Sequence, residues 1–329
     1  MKLSRALVYS VLIALLLLLP AVFMVLDLGF AAAALYFCVQ YSIMAMAWNF
    51  LAGYAGQVSF GHAVFFGVGA YTTMILLLFY EVTPWVGIPI GGVMAALLGL
   101  GLSFLFRLRS HWFSLATLAL VTIFLLLFQE FAPGRAAGLQ VPIVPPEKEF
   151  YYLRYAGAYY YIYLALAYLG VEVLLMNYLV KRDVGYYLQA IREDEETAMS
   201  LGINPFKYKV LAMLVSSFFM GIAGGLYTVR FRFVDPYCVF DILLISIYPV
   251  IASLLGGMYT FWGPVVGSFV FVPIFEYVRS NVVTAFPRYF GLHFLVAGII
   301  LFLISLRVPR GIVGWLEAKG YVRRPRYGG

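Results

Sequence analysis

Long apolar runs fill most of this chain, and its polar residues gather in a few short places between them. A helix that crosses a bilayer needs about 20 mostly apolar residues. Windows of that kind fall at 6–26, 30–52, 63–79, 86–106 and 112–131, and again at 159–180, 210–229, 240–256, 264–283 and 291–306. The pattern predicts an all-α, polytopic integral membrane protein with about ten transmembrane helices in a single transmembrane domain over 1–329. The first window follows Lys2 and Arg5, as the apolar core of a signal peptide would. It runs to Leu26, longer than such a core, and no small-x-small cleavage site follows, so a retained helix is expected.

The sharpest break in the pattern is 181–209, KRDVGYYLQAIREDEETAMSLGINPFKYK, which holds ten of the chain's 22 basic and 15 acidic residues. A charged side chain at the bilayer centre costs at least ~2.5 kcal/mol, so this island must stand in water on one face of the membrane. Within it, Glu193-Asp194-Glu195-Glu196 precede Thr-Ala-Met-Ser-Leu and then Gly202. Acidic residues at the start, good helix formers and a glycine stop predict a short helix over 194–201. On a multispan protein such a helix is a handle that a soluble partner can push.

Composition agrees with the pattern. The chain is 64% hydrophobic and 11% charged, against roughly 25% charged in globular domains. Its net charge of +7 comes without a basic stripe interleaved with aromatics, which argues against a nucleic-acid partner. The positive charges instead flank the apolar windows, beside membrane lipid. With the N-terminus in the cytoplasm, the pieces 1–5, 53–62, 107–111, 181–209, 257–263 and 307–329 carry 15 of the 22 Lys and Arg. The positive-inside rule then puts both termini, the charged island and the basic tail 307–329 in the cytoplasm. The longest outward loop, 133–158, contains Pro133, Pro142, Pro145 and Pro146, which break any regular helix. The tyrosines that follow from Tyr151 to Tyr163 fit either a belt at the membrane interface or a docking surface. Cys38 and Cys238 sit in apolar sequence and are expected to be buried packing residues, with no disulfide or metal pairing.

Two glycine-rich tracts interrupt the windows. In GYAGQVSFGH at 53–62, Gly53, Gly56 and Gly61 alternate with polar Gln57, Ser59 and His62. The tract fits an ordinary turn, or a broken helix of the kind transporters use to build a pathway. Gly67, Gly69 and Ala70 just beyond mark a closely packed interior helix. The second tract, GGMYTFWGPVVGS at 256–268, is open to the same two readings. Glu276 and Arg279 are three apart, so on a helix they share a face and can neutralise each other, within the membrane or near its outer surface. Glu172 and Asn177 are weaker intramembrane candidates, and Gln129-Glu130 mark a span end. There is no G-x-x-x-x-G-K-[ST] phosphate loop and no hydrolase motif, which argues against an enzyme and against ATP binding by this chain.

Three blocks resemble one family, the membrane permease subunits of ABC importers for branched-chain amino acids. They are NFLAGYAGQVSFGHAVFFGVGAY at 49–71, LQAIREDEETAMSLGINPFKYK at 188–209 continuing into GIAGGLY at 221–227, and GGMYTFWGPVVGS. Glu196-Thr197-Ala198-x-x-x-Gly202 is similar to the E-A-A-x-x-x-G coupling loop of importer permeases, with Thr197 in place of the first alanine. The resemblance implies that Glu193, Asp194, Glu196, Ala198 and Gly202 contact an ATPase. It implies two cytoplasmic ABC ATPase subunits that bind ATP and Mg, a second, related permease subunit, an extracytoplasmic substrate-binding protein, and a prokaryotic inner membrane. Gly53, Gly56, Gln57, Ser59 and His62 are the pathway candidates, with Phe60, Phe65 and Phe66 as possible apolar walls. A urea or short-amide importer is the alternative within the class, and an ATPase-independent secondary carrier the alternative outside it.

Overall fold

The computed structural model describes residues 16–108, 110–141, 146–155, 157–286, 288–289, 291–308 and 310–319. Lys2, Arg5, the first part of the 6–26 window, Arg109, Pro142, Pro145 and the basic tail beyond Lys319 lie outside them. Each of the ten predicted windows coincides with an apolar helix. Eight stretches are long and apolar enough to span a membrane, and two, α1 (Leu16–Val25) and one near the C-terminus, are shorter. The spanning helices are α2 (Gly29–Asn49, continuing through a π-helical turn, Phe50–Tyr54), α3 (His62–Phe79), α4 (Pro84–Gly101) and α5 (Ser110–Phe131). They continue with α6 (Ala158–Val180), α9 (Pro205–Phe231), α11 (Tyr248–Gly256, after a second π turn, Ile242–Ile247) and α12 (Gly263–Ala285). The charged island forms α7 (Asp183–Glu193) and α8 (Glu195–Ser200). The remaining helices are α10 (Pro236–Val239), α13 (Leu292–Arg307) and α14 (Gly311–Ala318).

The core is a three-helix crossing of α3, α4 and α9 whose contacts are made by glycine. Apolar side chains gain little from meeting each other instead of lipid, so close backbone approach has to supply the packing. A Cβ on Gly69 would overlap the backbone of Gly221, one on Gly224 would overlap the Phe66 carbonyl, and one on Gly221 would press on Ala95 and Gly91. Polar side chains pin the same crossing: Gln40 donates to the Ala223 carbonyl at 2.7 Å, and Thr228 to the Ala70 carbonyl at 3.0 Å. The interior helix expected from Gly67, Gly69 and Ala70 is therefore α3.

Connections gather at two ends. At one, β1 (Leu139–Gln140) pairs antiparallel with β2 (Phe233–Val234), a small addition to an all-α molecule. There Thr83 donates to the Tyr151 carbonyl and the Tyr151 hydroxyl to the Glu81 carbonyl, both at 2.6 Å, tying the 80–83 turn to the long loop. Tyr161 is buried, donates to the Leu153 carbonyl at 3.0 Å and receives Arg232. It works as an internal pin, whereas Tyr151, Tyr160 and Tyr163 are exposed. Both cysteines are free, and Cys38 is buried as expected. Cys238 is exposed, contrary to expectation. It sits on the short helix α10, whose N-cap Asp235 turns the chain at this end and leaves Tyr237 and Cys238 outside.

A bulky residue at the glycine crossing should be costly. Gly221→Leu is expected to destabilise the detergent-solubilised protein by about 1–3 kcal/mol through overpacking, read as a lower thermal unfolding midpoint. An unchanged midpoint would contradict this account of the core.

Candidate functional site

The opposite end carries the charged island. Helix α7 buries Gly185, Leu188 and Ile191 along one side and turns its charges outward. The chain then breaks at a single residue, Asp194, whose extended backbone (φ −158°, ψ 111°) closes α7 and opens α8. Its carboxylate accepts the Thr197 backbone N–H at 2.7 Å, the N-cap bond that aspartate supplies well. That bond holds Asp194 below the usual carboxylate range. At the other end Gly202 adopts φ +85°. Its N–H reaches the Met199 carbonyl at 2.9 Å while the Ile203 N–H reaches that of Ala198 at 3.1 Å, the paired bonds of a Schellman stop. The predicted short helix and both of its caps are present.

The five residues singled out here differ in exposure. Glu193, Asp194, Glu196 and Gly202 face solvent, whereas Ala198 is buried beneath them. Two ion pairs anchor the island. Lys209, buried at the start of α9, meets Glu195 at 2.6 Å, and Arg192 meets Glu193. Met199 and Leu201 stand out on the same short helix, 51% and 75% exposed, beside a half-exposed Phe206. Lipid cannot cover side chains that stand within a turn or so of four consecutive acids, Glu193 to Glu196.

The tract 53–62 is neither an exposed turn nor a loose one. Gln57, Ser59 and His62 are buried. Gly56 takes φ +71°, and a Cβ there would press on Arg192. Backbone groups released by the helix break are met by side chains of α2, α5 and the second π turn. Trp48 donates to the Ser59 carbonyl at 2.7 Å and Ser114 to that of Val58 at 2.6 Å. Thr117 accepts the Phe60 N–H at 3.2 Å, and Ser246 accepts the Ala63 N–H at 3.0 Å. His62 Nε2 lies 2.8 Å from the Ser216 hydroxyl on α9.

The two glycine-rich tracts and the island meet. Asn49 donates to the Thr260 carbonyl at 3.3 Å, and a Cβ on Gly53 would overlap the Met258 carbonyl. Arg192 closes the triangle. Its guanidinium donates to the Gly53 carbonyl at 2.8 Å, pairs with Glu193, and lies over the Tyr259 ring at 4.8 Å. Of the five pathway candidates, Gly53 and Gly56 pack against Arg192 of the coupling segment, whereas the Ser59 carbonyl meets Trp48 and His62 meets Ser216 of α9. Gly257 (φ +125°) is in turn capped by Gly311 of α14.

Arg192, Tyr259, Lys209, Ser216 and Ser246 were missed as site residues. Charge marks Arg192 and Lys209 as members of the island, but nothing local says that Arg192 turns back to residue 53. Elsewhere, Arg279 pairs with Glu276 at 2.6 Å, as their spacing predicts. Glu172 is wholly buried on α6, and neither carboxylate oxygen has a hydrogen-bond partner among the described residues.

A multispan helical molecule with a capped, water-facing helix at one end has the architecture expected of a membrane transport component. A family model described as the permease component of branched-chain amino acid transport systems matches residues 30–305, and the chain belongs to that family. The high-affinity branched-chain amino acid transport system permease protein LivM of Escherichia coli K12 is 29% identical over 296 residues, covering 83% of this chain and 67% of the relative. A probable branched-chain amino acid transport permease protein LivH of Methanocaldococcus jannaschii is 25% identical over 264 residues, 77% of this chain and 82% of that one. A tyrosine transport system permease protein of Clostridioides difficile is 28% identical over 115 residues, 33% of this chain and 39% of the relative. No solved structure matches. The chain is thus a multi-pass permease component, not a catalytic chain, and membership implies ATPase and binding-protein partners in general.

The cap at Asp194 has a signed pH dependence. A depressed carboxylate pKa stabilises the fold above the group's ordinary range, and the contribution disappears as pH falls through the lowered value. Amide exchange over 195–200, corrected for intrinsic rates, should accelerate in Asp194→Ala and on acidification. It should stay close to native in Asp194→Asn, because asparagine caps equally well. Equal exchange in the alanine and asparagine variants would contradict the capping role.

Proposed function

We propose that this chain is a permease subunit of an ATP-driven importer for branched-chain amino acids, and that Arg192 joins its ATPase handle to its gate. Two cytoplasmic ABC ATPases, carrying ATP and Mg, receive Glu193, Asp194, Glu196, Ala198 and Gly202. In this reading, exposed Met199 and Leu201 enter a groove on the ATPase, and the acids around them set the register. A second, related permease subunit completes the pathway, and an extracytoplasmic binding protein delivers substrate. Both termini lie in the cytoplasm of a prokaryotic cell, beneath its inner membrane.

The observation that carries this reading is the triple engagement of Arg192 with Gly53, Glu193 and Tyr259. A ligand or partner moves a protein only through contacts that differ between its two states. Movement of α7 and α8 by the ATPase reaches the 53–62 and 256–262 tracts most directly through this guanidinium. Gly53, Gly56, Gln57, Ser59 and His62 then act as the inner gate, where a change in one tract shifts the other. Arginine suits the task because its planar fork serves a carbonyl, a carboxylate and a ring face together, which lysine cannot.

Reconstitution with the partners in proteoliposomes tests both halves. ATP-dependent uptake of labelled leucine, and not of labelled urea, is expected. Arg192→Gln should lower the leucine transported per ATP hydrolysed by about tenfold or more, the scale of losing charge-assisted bonds, and Arg192→Lys should recover it only in part. Urea uptake would overturn the substrate, and leucine flux without ATP would overturn the mechanism. A native transport ratio in Arg192→Gln would remove its linking role.

A further inference from the structure

A cavity of about 390 Å³ lies towards the other end of the molecule, away from the tracts joined by Arg192. It falls within the roughly 300–1,000 Å³ range of small-molecule sites. Its walls come from α2, the second π turn, α11, α12 and α13. Phe37, Phe271, Phe275 and Phe294 make them largely aromatic, and the Glu276–Arg279 pair adds one charge of each sign. Glu276 stands nine residues before the end of α12 at Ala285, about 14 Å below it at 1.5 Å per residue. Its side chain is only 14% exposed, against 51% for Arg279.

Two further observations mark this cavity as more than a packing gap. Tyr248 lines it, and its buried hydroxyl has no hydrogen-bond partner among the described residues. A buried hydroxyl left unpaired is costly, so one at the edge of a cavity suits a ligand that completes it. The neighbouring Tyr41 hydroxyl already donates to the Leu244 carbonyl, at 3.1 Å, inside the π turn. Single π turns within helices recur at functional sites.

We propose that this cavity binds the substrate itself as a zwitterion: an aliphatic α-amino acid, with its ammonium on Glu276, its carboxylate on Arg279 and Tyr248, and its side chain among the phenylalanines. The inference rests on the reading of the chain as an amino-acid permease and adds a waiting site within it. The two charges stand side by side, as the ammonium and carboxylate of an α-amino acid do, and the aromatic walls supply the apolar remainder. Urea has neither a charge pair nor an apolar side chain to match. The same chemistry occurs in the phosphatidylethanolamine headgroup, whose ammonium and phosphate sit at the end of apolar tails. Helix α11 leads from Tyr248 on this cavity to Gly256 at the second glycine-rich tract. Occupancy here and the state of the inner gate therefore share one nine-residue helix.

The test uses the assembled transporter, without its binding protein, in nanodiscs of phosphatidylglycerol alone, titrated with labelled leucine. Saturable binding is expected. Isopentylamine, which lacks the carboxylate, and 4-methylpentanoate, which lacks the ammonium, should compete at least about tenfold less well than leucine. Glu276→Gln and Arg279→Gln should each weaken leucine binding by about tenfold or more. Tyr248→Phe keeps the ring and the fold, and should weaken it about threefold. Absence of saturable binding to the native protein, or native affinity in all three variants, would overturn the proposal. Phosphatidylethanolamine retained by the native protein and released by Arg279→Gln, with no leucine binding, would assign the cavity to lipid and overturn it equally. If ATP-driven leucine uptake persists when this site fails to bind, the importer reading stands and only the cavity assignment falls.

Discussion

An interrupted helix in hydrocarbon exposes backbone groups that lipid cannot bond, and every such interruption has to be satisfied by protein. This chain interrupts its helices at 50–61 and again at 256–262, and satisfies both breaks by bringing them together. Asn49 reaches Thr260, Gly53 packs on Met258, and the Arg192 guanidinium takes the Gly53 carbonyl. The remaining groups at the first break are met by hydroxyls of α5, α9 and the second π turn, and by the Trp48 indole. The breaks are therefore not loose joints. They form a polar knot, buried at Asn49, Gln57, Ser59 and His62 and exposed at Tyr259 and Trp262, at the end of the bundle that faces the charged island.

A knot of that kind couples elements that sequence keeps far apart. Residues 53, 192 and 259 come from three separated stretches, each attached to a different spanning helix. Moving α7 without moving the knot strands a buried carbonyl and an arginine together, and leaving such groups unpaired is more costly than the bonds themselves are favourable. The core behind the knot, where α3, α4 and α9 cross through Gly69, Gly91, Gly221 and Gly224, is too tightly packed to absorb the displacement. In the proposed mechanism, force applied at α8 passes to the helices on either side of the two tracts.

Much of this was legible in the sequence. Apolar windows located the eight spanning stretches and the two shorter apolar helices because hydrocarbon imposes length and composition directly. The acidic start and Gly202 stop of α8 were legible because such end signals depend on neighbours within one turn, but that Asp194 stands outside the helix as its cap was not. The tertiary partners were not. Arg192 reads as one charge among ten, and its reach to Gly53 depends on how α2 and α7 meet. Cys238 looked buried because apolar sequence surrounds it, but the Asp235-capped turn places it on the surface. The tracts at 53–62 and 256–268 were each ambiguous between turn and gate, since only their mutual contact distinguishes a packed break from an exposed one. Glu172 was ranked low, and its complete burial follows from α6 lying against α2, which periodicity alone does not reveal.

The central claim is that the island and the glycine-rich tracts move as one body through Arg192. Pulsed electron paramagnetic resonance on the assembled transporter tests it, with spin labels at exposed Ser200 and Trp262, at Ser200 and exposed Tyr237 at the opposite end as reference, and with Cys38 and Cys238 replaced by alanine. Nucleotide binding should leave the 200–262 distance unchanged while the 200–237 distance shifts, and Arg192→Gln should release the 200–262 distance as well. A 200–262 distance that shifts in the native protein as much as 200–237 would contradict the account.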